Sequence, residues 1–144
     1  MDRPERHQGR RAGPQHHRPR LVSPLAASLL VAAGGAVGAL SRFWANVLIA
    51  GLAGTSLPFA TFTVNVVGSF LIGILTTLFS HNLAVTALAV TGMLGGFTTF
   101  STFSIETVRL IEAGRIVVAI GYIGLSVIVS LAAAALGVAL ARAI

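Results

Sequence analysis

Between Gly95 and Ser104 the chain reads GGFTTFSTFS, two adjacent glycines followed only by hydroxyl and phenyl side chains. Hydroxyls donate hydrogen bonds in place of water, and a phenyl ring presents a positive edge. Both suit a small anion without the grip of a full charge. Conduction needs that balance, because binding must offset dehydration and still allow release. The same residue types recur at helical spacing elsewhere. Thr61, Asn65 and Ser69 stand at i, i+4 and i+8, as do Tyr122, Ser126 and Ser130, and Phe97, Phe100 and Phe103 are three apart. Each set therefore predicts a stripe on one side of a helix. An asparagine in apolar surroundings is costly unless it meets a partner or water.

The glycine pair adds a second kind of chemistry. TGMLGGFTT is a poor helix, since a glycine costs about 1 kcal/mol against alanine in a helix interior. Two β-branched threonines follow, and the stretch predicts a break near Gly95 to Thr99, with unpaired N–H and C=O groups near the membrane midplane. Such backbone is tolerated there only when it is buried in protein, lines water or binds an ion. Freed carbonyls would coordinate a cation. Each feature alone has an ordinary reading: hydroxyls bond their own i−4 carbonyls, phenyl rings pack, and Gly34 with Gly38 forms a common close-contact pattern. Their convergence in one short chain carries the argument.

Other chemistry lacks its residues. There is no cysteine, hence no disulfide or thiolate site. No Ser-His-Asp set, metal-ligand cluster or phosphate loop occurs. Asp and Glu are confined to the N-terminal tail and to Glu106 and Glu112 near the third turn. With no carboxylate expected inside a span, neither an enzyme nor a proton relay is predicted. His81 falls in a turn and reads as solvated.

The elements that hold these stripes follow from composition. Of 144 residues 55% are hydrophobic and 10% charged, with a mean hydropathy of +0.88, far from the roughly one quarter charged of a soluble domain. The fold class is an all-α integral membrane protein. Four spans of about 20 or more apolar residues are predicted near 25–50, 59–79, 83–111 and 116–141, the first behind a Ser23-Pro24 start. Short turns leave no soluble domain, and residues 23–144 form one bundle. Residues 1–22, rich in Arg, His, Pro and Gly, read as a disordered basic tail. Beside a span such a tail is a topology and anionic-lipid signal rather than a nucleic-acid arm.

Three stretches together, GALSRFW (38–44), TFTVNVVGSFLIG (61–73) and GGFTTFSTFSIE (95–106), closely resemble the Fluc, or CrcB, family of fluoride channels. The resemblance runs from about 34 to 137. It implies an antiparallel, dual-topology dimer with two pores that exports fluoride passively through a bacterial plasma membrane. By residue match, Phe100 and Phe103 would be the paired pore phenylalanines and Asn65 the pore asparagine. Tyr122, Ser126, Ser130 and Thr61 would line the fluoride path. The backbone carbonyls of Gly95 and Thr98 would hold a structural Na⁺ at the dimer interface. Arg42 is expected at the pore mouth or the lipid interface.

Charge predicts orientation. Four spans place the tail, His81 and Arg142 on one side, and Arg42, Arg109 and Arg115 on the other. The tail's six arginines then favour an N-terminus inside. Such a bias sits poorly with dual topology. It leaves two expected partners, a second copy or an oppositely oriented homologue.

Overall fold

The computed structural model describes residues 22–54 and 57–144. The expected tail, apart from its last residue, and part of the first turn lie outside the described residues. What is described is helical, with no strand among the described residues. Helix α1 covers Pro24–Ala53 and α2 covers Phe59–Leu78. The third span is composite: α3 (Leu83–Val85), a π-helix (Thr86–Leu94), α4 (Gly95–Phe97) and α5 (Phe100–Glu112). Helix α6 covers Ile116–Arg142.

Local chemistry explains the ends. Ser23 Oγ accepts the Ala26 N–H at 3.2 Å, and Pro24 fills the first helical position, where its missing N–H costs nothing. Asn82 Oδ1 accepts the Val85 N–H at 3.1 Å and starts α3. Helix α1 stops at Gly54 with φ 74°, a left-handed conformation that favours glycine.

Four helices are long and apolar enough to cross a membrane. Their outward faces carry Leu25, Trp44, Val117 and Ile128 largely exposed, which is stable only against hydrocarbon. Inside, Val64, Leu94 and Thr61 are the largest fully buried side chains.

Glycines let the backbones touch. A Cβ on Gly34 would collide with the Leu88 carbonyl oxygen, and one on Gly38 with the Met93 carbonyl oxygen. Across this contact between α1 and the π-helix, a Cβ on Gly92 would lie 2.8 Å from the Val31 oxygen. Gly73 and Gly137 do the same service between α2 and α6.

The glycine pair behaves differently from the sequence expectation. Gly95 is helical at φ −63°, ψ −37°, and a Cβ on Gly96 would lie 2.7 Å from the Gly35 oxygen. Gly96 thus serves close approach to α1, and the chain leaves helical geometry two residues later. Thr98 has φ −77°, ψ 157° and Thr99 φ −152°, ψ 121°, the extended conformation that β-branched residues favour. Phe97 consequently belongs to α4 while Phe100 and Phe103 belong to α5. The expected stripe of three phenylalanines is two, because the extended residues reset the helical phase between them.

Candidate functional site

The polar stripes of α2 and α6 converge with α5 on a cavity of about 350 Å³. Asn65, Ser69, Thr98, Phe100, Phe103, Ser126 and Ser130 line it. Sequence spacing thus brought most of its expected site residues to one place. The Phe100 and Phe103 rings lie 5.4 Å apart at 43°, and Phe103 lies 5.2 Å from the Tyr122 ring at 50°. Tilted rings turn edges as well as faces toward their surroundings. Ser126 is buried, and its Oγ has no hydrogen-bond partner among the described residues. Phe100 is 77% exposed and lines this same cavity.

Thr61 and Tyr122 meet each other through a residue that spacing did not single out. Thr61 donates from Oγ1 to Glu106 Oε1 at 2.9 Å, and Tyr122 donates its phenol hydrogen to Glu106 Oε2 at 2.9 Å. Glu106 is therefore not a turn residue. It stands in the second turn of α5, inside the span, with both carboxylate oxygens hydrogen-bonded. Reading outward from the end of the apolar run placed it too near water. The available signal was its register, three beyond Phe103 and six beyond Phe100, which continues the phenyl face. Thr61 is 2% exposed and serves this carboxylate rather than the cavity lined by Asn65 and Ser126.

Asn65 reaches the extended residues. Its Oδ1 accepts the Thr99 N–H at 2.8 Å and its Nδ2 donates to the Thr99 carbonyl at 3.0 Å. In a continuous helix the Thr99 N–H would bond the Gly95 carbonyl, and the Thr102 N–H would bond that of Thr98. Here the Thr102 N–H donates to Thr99 Oγ1 at 3.2 Å, so both carbonyls lose their helical donors. The Leu94 carbonyl is not freed, since it accepts the Thr98 N–H at 2.9 Å and Thr98 Oγ1 at 3.0 Å. Among the described residues no group of three His, Cys, Asp or Glu side chains could hold a metal. A cation at this depth would depend on carbonyls.

A second cavity, about 440 Å³, opens toward the turns. Asn46, Pro58, Glu106, Arg109 and Arg115 line it. Glu106 thus borders it while bonding Thr61 and Tyr122. Arg42, expected at a mouth, stands partly buried one turn before Asn46 on α1, and the arginines lining this cavity are Arg109 and Arg115.

Four apolar spans, three of which line a groove carrying serine and threonine side chains, define a multi-pass integral membrane protein. Its family profile is that described as "CrcB-like protein, Camphor Resistance (CrcB)", which matches residues 29–138. The chain belongs to the CrcB family. It is 46% identical over 117 residues to "Fluoride-specific ion channel FluC" of Agrobacterium fabrum, covering 78% of this chain and 94% of that one. The protein of the same name from Cereibacter sphaeroides is 48% identical over 115 residues, covering 79% and 93%. That from Ruminiclostridium cellulolyticum is 44% identical over 118 residues, covering 79% and 91%. The family is one of channels, not enzymes.

Proposed function

We propose that the chain is a fluoride-selective channel that lets fluoride leave the cell down its gradient. The observation that carries the reading is the convergence of Phe100, Phe103, Asn65, Ser126 and Ser130 on one cavity. An anion entering past Arg109 and Arg115 is drawn by positive charge. It then exchanges water for hydroxyls and ring edges. Glu106 holds Thr61 and Tyr122 in fixed positions, so that part of the path is pre-set.

The working unit is an antiparallel dimer with two pores in a bacterial plasma membrane, formed with a second copy or an oppositely oriented homologue. Exposed Phe100 and Gly95 support this, since a partner would cover them. The interruption at Thr98 and Thr99 serves as the break of the third span. The Gly95 and Thr98 carbonyls fit a structural Na⁺, because both are among the four, from Gly95 to Thr98, that lose their helical donors at the interruption. When bound, the ion supplies positive charge that holds the break against its partner.

The experiment is fluoride efflux from liposomes containing purified protein, with chloride as control. Fluoride should pass and chloride should not. Phe100→Ile or Phe103→Ile should lower fluoride flux far more than folding, since the volume change is moderate while the ring edge is lost. Equal passage of both ions would end the reading. The embedded Glu106 favours one rival, a proton-coupled exporter of organic cations. Proton movement driven by such a cation, with no fluoride flux, would establish it.

A further inference from the structure

We infer that Asn65 is a positioning residue: its carboxamide acts as a surrogate peptide that holds the third span open at Thr99. The flux consequence rests on the channel reading above, whereas the geometry does not. One carboxamide satisfies both backbone groups of one residue, the Thr99 N–H at 2.8 Å and the Thr99 carbonyl at 3.0 Å. Among side chains that need no added proton, only the amides carry a donor and an acceptor in that arrangement. Without it, the Thr99 N–H would be buried unpaired or would return to the Gly95 carbonyl. That return would straighten the span, turn Phe100 and Phe103 to another face and close one of the freed carbonyls.

The platform is stiff. Val64, the residue before Asn65, is 1% exposed, and Thr61, one turn before it, is 2% exposed. One turn after it, Gly68 leaves only enough room for the Thr98 methyl group. Asn65 thus couples the anion groove to the freed carbonyls through the two peptide groups that flank the Thr99 Cα. Its Nδ2 keeps a single hydrogen for any passing ion, so a ligand role is secondary to the clamp.

Asn65→Asp gives a test that a merely structural role would not satisfy. An ionised carboxylate accepts the Thr99 N–H but repels the Thr99 carbonyl. A protonated carboxyl restores both bonds, because its O–H donates and its C=O accepts. The titratable groups near it are Glu106 on α5 and Tyr122 on α6, so the wild type is measured at every pH as the reference. Amide hydrogen exchange is followed at Thr99 in the full-length protein in lipid, together with fluoride flux. In Asn65→Ala the Thr99 amide should exchange about tenfold faster than in wild type. In Asn65→Asp, Thr99 protection and flux should both recover toward wild type as pH falls. Unchanged Thr99 exchange in Asn65→Ala overturns the inference, and lost flux with unchanged exchange makes Asn65 an ion ligand only. If Asn65→Ala does not fold, one preparation of Asn65→Asp decides it: Thr99 protection that is independent of pH relative to wild type refutes the clamp. A wild type that passes no fluoride would sink the channel reading and leave the exchange result to judge Asn65.

Discussion

The contact between α1 and the π-helix and the contact among α2, α5 and α6 are built from opposite materials. The first is backbone against backbone, with Gly34, Gly38 and Gly92 in the positions where a Cβ would strike a carbonyl or a Cα. The second also contains glycines, but its middle is held by side chains: Asn65 on Thr99, and Thr61 and Tyr122 on Glu106. The first region has nothing to titrate and few rotamers to choose. The second has donors, acceptors, rings and space. In a membrane, where lipid tails are as apolar as leucine, close packing supplies much of the association. The glycine region therefore carries the fold and leaves the polar region to be shaped by function.

The sharpest way to break this division is at Gly38. Gly38→Val should cost more than about 3 kcal/mol, because the Met93 carbonyl and the Phe97 N–H cannot retreat as a flexible side chain would. Loss of monodisperse protein on extraction would report it. A stable Gly38→Val variant would mean that α1 is only loosely attached.

Glu106 comes next. Glu106→Ala should leave two buried hydroxyls unpaired, at about 1–3 kcal/mol for each, and should reduce flux more than it reduces melting temperature. Glu106→Gln keeps one acceptor and should fall between Glu106→Ala and the wild type in both. If Glu106→Ala transports normally, the carboxylate is a structural strut alone.

The smallest effect belongs to a glycine with open space. No atom lies within 4 Å of a Cβ placed on Gly51, so Gly51→Ala should be neutral or stabilise by up to about 1 kcal/mol through helix propensity. Thermal denaturation in detergent would check it. A large loss there would show that a partner surface covers the end of α1.

The spans were legible because hydropathy and length are nearly sufficient in a bilayer. So were the stripes Thr61-Asn65-Ser69 and Tyr122-Ser126-Ser130, since helical phase is preserved within one helix. Three things were not. Phe97 was grouped with Phe100 and Phe103 because phase was carried across residues that turn out to be extended. Glycine weakness and the two following threonines both point to an interruption near 95–99; Gly96 answers to the α1 backbone, and the departure falls on the threonines alone. Glu106 was placed by distance from the apolar run, but its partners come from α2 and α6, which no local window contains. The π-helix also leaves no mark in the residue pattern; we have no physical account of why it runs for nine residues.

The turns between spans are short: 54–58, 79–82 and 113–115. Even five extended residues reach only about 18 Å, while the hydrocarbon core is about 30 Å thick. No single span can reverse alone, so the whole molecule has two orientations and nothing between them. Turning one into the other would drag Arg109 and Arg115 through lipid at about 3 kcal/mol or more for each, along with every polar turn on that side. The choice is made while the chain is being inserted, and afterwards it is stored. Whichever way a chain faces is thus a record of its synthesis, a one-bit memory that later equilibrium does not rewrite.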